Sequence, residues 1–247
     1  MKKPSNSSAT FYQQVLAAPF GPAVDVPNGL ESLVYADYLR IKQKLEWCEI
    51  CSGCESKNRY KIFTPQGQQL FEAKESSLCC VRCCCETNRG FKMHIMDNHG
   101  REVLTFQRNF HCQLCCCQTC CCLQYLRVYS GTGERLGAVA QQCSYCRPMY
   151  DIKNQADDTV LEIQGPCRTC SCPFVCREVG FDVTQGGSQV GMIRKEYSGV
   201  AKEAVTDADN FYVTFPRELD VKSKSCLLGA VFLIDFMYFE NGTDNMD

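Results

Sequence analysis

Short segments in which apolar and polar residues alternate recur along most of the chain. Each is followed by a turn rich in glycine or acidic residues and then by a second segment. Alternation predicts strands with one buried face, and a turn between two of them predicts a hairpin. Six such two-strand units predict about a dozen strands, which must close or stack to hide their edges. The leading aromatic residues of these units are Tyr60, Phe91, Tyr125, Tyr150, Phe181 and Phe211.

The last apolar segment has a different pattern. Residues 226–239 are apolar on every side, interrupted only by Asp235. A helix of this kind must be buried all round, and at ~1.5 Å per residue it is shorter than the ~30 Å hydrocarbon core of a bilayer. The pattern therefore predicts a mainly β fold, a closed antiparallel β-barrel of about twelve strands around a hydrophobic C-terminal helix. The helix residues expected in the core are Leu227, Leu228, Val231, Phe232, Ile234 and Asp235. The alternative is a single membrane span with the C-terminus outside.

Both ends of the chain differ from this central region. Residues 1–28 contain four of the nine prolines and predict a disordered tail. The apolar positions between Leu30 and Ile50 fit either a helix or a helix followed by a strand. The predicted organisation is a tail over residues 1–28, one domain over 29–240 with its helix at 226–239, and a second tail over 241–247.

Composition limits the classes of function. A net charge of −2 argues against a nucleic-acid partner. There is no glycine-rich phosphate loop and no Ser/His/Asp arrangement in the sequence, so we expect neither an enzyme nor a small-molecule substrate. The 22 cysteines would normally indicate a disulfide scaffold, but the chain is too long to need one and its first residues do not resemble a secretory signal.

Three chemistries compete for the cysteines. Disulfides are the weakest, because the cysteines are expected in a reducing compartment. Zinc suits CxxC spacings. Thioester-linked acyl chains suit the dense cluster at residues 112–122, which exceeds the needs of one tetrahedral site. Packing suffices for Cys143, Cys176 and Cys226. The candidate zinc ligands are Cys48, Cys51, Cys54, Cys167, Cys170 and Cys172.

Several motifs together resemble the phospholipid scramblase family. They are the cysteine-rich segment 115–122, the acidic segment that starts at Thr206, and the apolar segment 233–240. The resemblance implies a tubby-like barrel of twelve strands around a central helix, and calcium-activated, ATP-independent, bidirectional movement of phospholipids between leaflets. It also implies attachment to the cytoplasmic face of the plasma membrane through palmitate. The implied palmitoylation sites are Cys115, Cys116, Cys117, Cys120, Cys121 and Cys122.

The segment that corresponds to the family's calcium loop runs from Asp209 to Asp220. It does not fit an EF-hand, because apolar residues occupy ligand positions and the glycine is missing. Phe211, Val213 and Phe215 instead alternate as in a buried strand. We expect Ca²⁺ to bind weakly at the acidic ends, and the candidate ligands are Asp207, Asp209, Glu218 and Asp220.

Three functional hypotheses follow. The first is a scramblase whose partners are membrane phospholipids; one short helix cannot form a polar path, so this function requires a homo-oligomer or a thinned bilayer. The second is a palmitate-anchored binding or regulatory module that does not move lipid. The third is a cytosolic zinc-binding protein.

Overall fold

The computed structural model describes residues 26–44, 58–77, 89–110, 123–144, 146–167, 178–196 and 210–239. A short helix α1 (Glu31–Val34) precedes twelve strands, and a long helix α2 (Val221–Tyr238) follows them. The strands are β1 (Tyr38–Lys44), β2 (Arg59–Phe63), β3 (Gln69–Ser76), β4 (Phe91–Asp97), β5 (Glu102–Arg108), β6 (Tyr125–Ser130), β7 (Arg135–Gln141), β8 (Met149–Lys153), β9 (Thr159–Gln164), β10 (Glu178–Gln185), β11 (Ser188–Glu196) and β12 (Asn210–Thr214).

The strands form one closed antiparallel barrel, which confirms the predicted fold class. Each strand pairs with its neighbour in sequence, and β12 pairs with β1 to close the ring, with Leu39 opposite Val213. Of the twelve neighbouring pairs in the ring, five are hairpins with short turns, six are joined by longer connections, and one joins the first and last strands. The ambiguous segment after Gly29 is therefore a helix followed by a strand. Closure leaves no unpaired strand edge among these twelve strands.

The predicted turns connect the hairpins. Gly67, Gly100 and Gly133 adopt φ of +82°, +74° and +87°, a region that glycine enters without steric penalty. In the turn between β8 and β9 the corresponding residue is Asp157, with φ of +67°. Its carboxylate accepts hydrogen bonds from Arg135 and Tyr125, and these contacts hold the turn against neighbouring strands.

Helix α2 fills the barrel. It has 18 residues, so it begins five residues earlier than the apolar run alone suggested, and Asp220 caps it by accepting a hydrogen bond from the Ser223 backbone N–H at 2.9 Å. All six residues expected in the core are buried, at 3% exposure or less. The predicted core helix is confirmed, because the apolar run packs against the inward side chains of the barrel. Among the described residues no helix combines the length and apolarity needed to cross a membrane.

Lys224 anchors the first turns of α2 to the start of the domain. Its fully buried ammonium group lies 2.7–3.0 Å from the backbone carbonyl oxygens of Leu33, Val34, Ala36 and Arg217. Burial lowers the pKa of Lys224, because a low-dielectric environment disfavours the charged form. Val26, which precedes the predicted start of the domain at residue 29, packs against the core. Residues 1–25 lie outside the described part of the chain.

Candidate functional site

The barrel has two different ends. Short turns join the strands of each hairpin at one end, which also holds the N-terminus of α2; we call it the turn end. The longer connections, including those from β1 to β2 and from β11 to β12, join strands at the opposite end, the loop end. By sequence, every cysteine except Cys226 belongs to a loop-end connection. In the sequence, five separate cysteine clusters therefore lie between strand ends that the topology brings to one end of the barrel.

Most of the cysteine predictions fall outside the described residues. This holds for the six candidate palmitoylation sites Cys115, Cys116, Cys117, Cys120, Cys121 and Cys122, and for the candidate zinc ligands Cys48, Cys51, Cys54, Cys170 and Cys172. Within the described ranges, Cys167 is exposed and no group of three or more His, Cys, Asp or Glu residues could hold a metal ion.

The packing prediction had two outcomes. Cys226 is buried in α2, and burial raises the pKa of its thiol, which leaves the thiol protonated and unreactive. Cys143 is exposed in the connection from β7 to β8, so its assignment as a packing residue was wrong. Cys176 lies outside the described residues.

A buried polar cluster surrounds Asp235 in the last turn of α2. The Tyr60 hydroxyl on β2 donates a hydrogen bond of 2.7 Å to Asp235 Oδ2, and the Lys195 ammonium on β11 lies 3.7 Å from Oδ1. Lys195 also lies 4.1 Å from the ring centroid of Phe239. Burying an unpaired carboxylate inside the barrel would cost free energy. A cation and a hydroxyl from the barrel wall compensate the charge of Asp235. This cluster fixes the rotation of the helix within the barrel.

A second buried ion pair lies at the same end. Arg89 Nε is 3.1 Å from Glu75 Oε1, and both side chains are at most 1% exposed. The Arg89 guanidinium also packs over the Phe236 ring of α2 at 4.7 Å. The backbone N–H of Asn58 donates to the other Glu75 oxygen at 3.0 Å. The barrel is thus apolar through its middle and polar where α2 ends, so its loop end can hold charge without contact with bulk water.

Sequence reasoning missed these inward-pointing charges, although a signal was present. Lys195 follows Ile193 by two positions on β11, so an alternating strand must direct both side chains to the same side. A cation on the inner face and a single carboxylate in the apolar run are natural partners.

The structure describes two of the four predicted calcium ligands, Glu218 and Asp220. Phe211, Val213 and Phe215 are buried as an alternating strand requires, so the segment that resembles the calcium loop contains β12 itself. Glu218 and Asp220 follow β12 and lie at the turn end, before α2. Asp207 and Asp209 lie outside the described residues.

The two described carboxylates do not form a calcium site by themselves. Glu218 is exposed, and Asp220 already accepts the capping hydrogen bond of α2. Two carboxylates fall well short of the six to eight oxygen ligands of Ca²⁺. A calcium site at these two carboxylates needs further oxygen ligands.

Comparison with known proteins gives a consistent result. A family model described as Scramblase matches residues 16–241. The chain is 42% identical to phospholipid scramblase 1 of Rattus norvegicus over 221 residues, which cover 89% of this chain and 64% of the relative. It is 43% identical to phospholipid scramblase 2 of Bos taurus, covering 89% of this chain and 74% of the relative.

A third relative matches nearly the whole chain. Phospholipid scramblase family member 5 of Homo sapiens is 37% identical over 241 residues, which cover 96% of this chain and 87% of the relative. No solved structure matches. The chain spans about two thirds of the length of rat and mouse phospholipid scramblase 1, at 64% and 66%. A family match over residues 16–241 and identities of 37–43% show that the chain belongs to the scramblase family.

Proposed function

We propose that this protein moves phospholipids in both directions between the leaflets of a membrane, without ATP and in response to calcium. The observation that carries the proposal is the similarity to phospholipid scramblases 1 and 2 across 89% of the chain. The protein is then a lipid translocator rather than a chemical catalyst.

Palmitate attaches the protein to the cytoplasmic face of the plasma membrane in this proposal. The acyl acceptors are the cysteines of the dense cluster, Cys115–Cys117 and Cys120–Cys122, in the connection from β5 to β6. Two or more acyl chains hold a protein stably at a bilayer, whereas one chain holds it only marginally. The cysteine-bearing connections join strands at the loop end, and this supports attachment through that end.

The barrel interior constrains the mechanism. Leu228 and Phe232 of α2 are fully buried against the wall, so a lipid headgroup has no path through the centre of this barrel. Lipid movement must therefore follow the outer surface, a locally thinned bilayer or an interface between copies. A homo-oligomer is part of the proposal for this reason.

Calcium acts through the acidic segment around β12 in this proposal. The described carboxylates of Glu218 and Asp220 supply too few ligands alone, and oxygens of anionic lipid headgroups are suitable additional ligands. Zinc at the loop-end cysteines is a separate proposal, which elemental analysis of the purified protein tests.

The filled interior also favours a second candidate function. A palmitate-anchored module that binds or regulates partners needs a stable barrel and no lipid path. Both candidates share the anchor, so membrane attachment alone does not distinguish them.

Reconstitution distinguishes them. Vesicles with fluorescent lipid in both leaflets are treated with an impermeant quencher, with and without calcium. Complete quenching on calcium addition supports the scramblase; quenching of only the outer half at high protein-to-lipid ratio supports the anchored module. Hydroxylamine, which cleaves thioesters, should release the protein from cell membranes, and retention would argue against palmitate as the anchor.

A further inference from the structure

Basic residues cover one side of the barrel. On β1 to β4, every second residue points into the core, as Ile41, Tyr60 and Met93 do. The residues between them therefore point outward. Seven of these outward side chains are cations. One, Arg40, packs over the Tyr212 ring of β12. We call the other six the basic face: Lys42, Lys44, Arg59, Lys61, Lys74 and Lys92.

The strand register places like charges opposite one another on this face. Lys42 faces Lys61 and Lys44 faces Arg59 across β1 and β2, and Arg59 faces Lys74 across β2 and β3. Directly opposed like charges destabilise a sheet. Glu72 lies 3.0 Å from Lys74 and faces Lys61 across β2 and β3, so it offsets part of this charge. The remaining excess of cations suits a surface that supplies negative charge.

The opposite side of the barrel carries the opposite charge. In the closed ring β8 lies six strands from β2, and on it Asp151 faces Glu162 of β9. Asp182 and Glu178 point outward from β10, where Glu178 pairs with Arg194 of β11. Lys153 is a cation among the outward positions of β8, so acidic side chains outnumber basic ones on β8 to β10. The charge of the barrel is therefore separated across its diameter although the chain as a whole carries only −2. A molecule with this distribution turns one side toward an anionic surface.

We propose that the basic face docks onto the anionic leaflet of a phospholipid bilayer. Lys44 ends β1, Arg59 begins β2 and Lys92 lies at the start of β4, so the face adjoins the loop end. The cysteine-bearing connections adjoin it there, and acyl chains and cations at one place provide the two signals that stable attachment requires. A bilayer also fits the broad, convex outer surface of four adjacent strands better than a small anion does.

This docking deepens the proposed function and rests on its membrane association. It adds an orientation: the barrel lies with β1 to β4 toward the leaflet and β8 to β10 toward the solvent. Each cation near an anionic surface strengthens partition roughly fivefold, and salt screens the attraction over ~10 Å. Removal of three cations should therefore weaken partition on the order of 100-fold.

The test measures sedimentation of the full chain with phosphatidylcholine vesicles that contain or lack phosphatidylserine. Hydroxylamine first removes thioester-linked acyl chains, and EDTA removes calcium, so that neither anchor contributes. The variant Arg59→Gln/Lys61→Gln/Lys74→Gln is compared with Arg127→Gln/Lys153→Gln/Arg147→Gln, which removes the same charge elsewhere on the exposed or half-buried surface. Thermal melting confirms that both fold.

The expected result is binding of wild type to vesicles with phosphatidylserine, its release by salt, and a loss on the order of 100-fold in the basic-face variant. The control variant should lose less than about fivefold. Equal loss in both variants, or binding that does not depend on phosphatidylserine, would overturn the docking surface. Calcium-dependent scrambling by a protein without this binding would also refute the docking and leave the proposed function intact; binding without scrambling would refute the function alone. Preferential binding of a DNA duplex over these vesicles would assign the face to a nucleic acid instead.

Discussion

Substitution of Lys224 by methionine should strongly destabilise the barrel. Methionine keeps the length and apolar stem of the side chain but removes the ammonium group. In the native protein that group lies within 3.0 Å of four backbone carbonyl oxygens, three from the end of α1 and the residues after it and one from the segment before α2. Its loss leaves these acceptors without their shared donor and disconnects the start of the domain from its last helix.

The size of the effect follows from the contacts. An ammonium has three donors, and hydrogen bonds that involve a charge each contribute about 1.5–3 kcal/mol, against a penalty of several kcal/mol for burying the ion. Removing one partner of a buried charged arrangement typically costs about 3–5 kcal/mol, and we expect Lys224→Met to fall in this range. The free energy of unfolding of an ordinary domain is about 5–15 kcal/mol, so the variant should lose a large part of its stability.

Urea denaturation followed by tryptophan and tyrosine fluorescence measures this change, and thermal melting should fall by about 6–20 °C. Lys222→Met is the matched control on the same helix. The Lys222 ammonium lies 3.9 Å from the half-exposed Glu134 carboxylate, and such a surface pair contributes at most about 1 kcal/mol. A loss below about 1 kcal/mol for Lys224→Met, or equal losses for the two variants, would refute the reasoning.

Three further predictions test the core, the wall and a turn. Asp235→Leu should destabilise by about 3–5 kcal/mol because it leaves the buried Lys195 cation without this carboxylate, and Lys195→Met in the same chain should restore most of the loss in urea denaturation. Gly137→Ala should lower the melting temperature, since its Cβ would lie 2.3 Å from a carbonyl oxygen of β8, whereas Gly180→Ala, with 3.8 Å of clearance, should not. The pKa of Asp97 is lowered, chiefly by a backbone hydrogen bond within its turn. Its contribution to stability is therefore complete above its unfolded pKa of ~3.9 and is lost as pH falls through the lower folded value, so Asp97→Asn should flatten the decline of melting temperature below pH ~4.

Much of the fold was predictable because buried strands leave a strong pattern. Tyr60, Phe91 and Phe181 mark inward positions of three hairpin strands, and all three are buried as the alternation required. The length and all-round apolarity of α2 likewise predicted an element inside a shell. Alternating and fully apolar segments both indicate which residues are buried. A strand or a core helix can therefore be predicted from them without knowing the element against which it packs.

Pairing between distant segments was harder to predict. The segment of β1 fits two periods, and its ladders with β2 and with β12, about 170 residues later, fix it as a strand. Lys195 and Glu75 were missed for a related reason: a charge on an inner face contradicts the simple pattern, and its partner comes from another strand or from α2. The family resemblance located the calcium candidates along the chain but did not show that Asp220 caps α2, because that contact depends on where the helix begins.

The closure of β1 against β12 has a consequence for synthesis. The first strand of the barrel is synthesised about 170 residues before its partner β12. Translation of the intervening residues takes roughly 10–40 s at common rates. The helix that fills the core is made later still, so the nascent barrel lacks its interior until the end. During that time its apolar inner face is open to chaperones and to aggregation. Premature termination before Val221 should therefore yield chains for degradation rather than a smaller working domain.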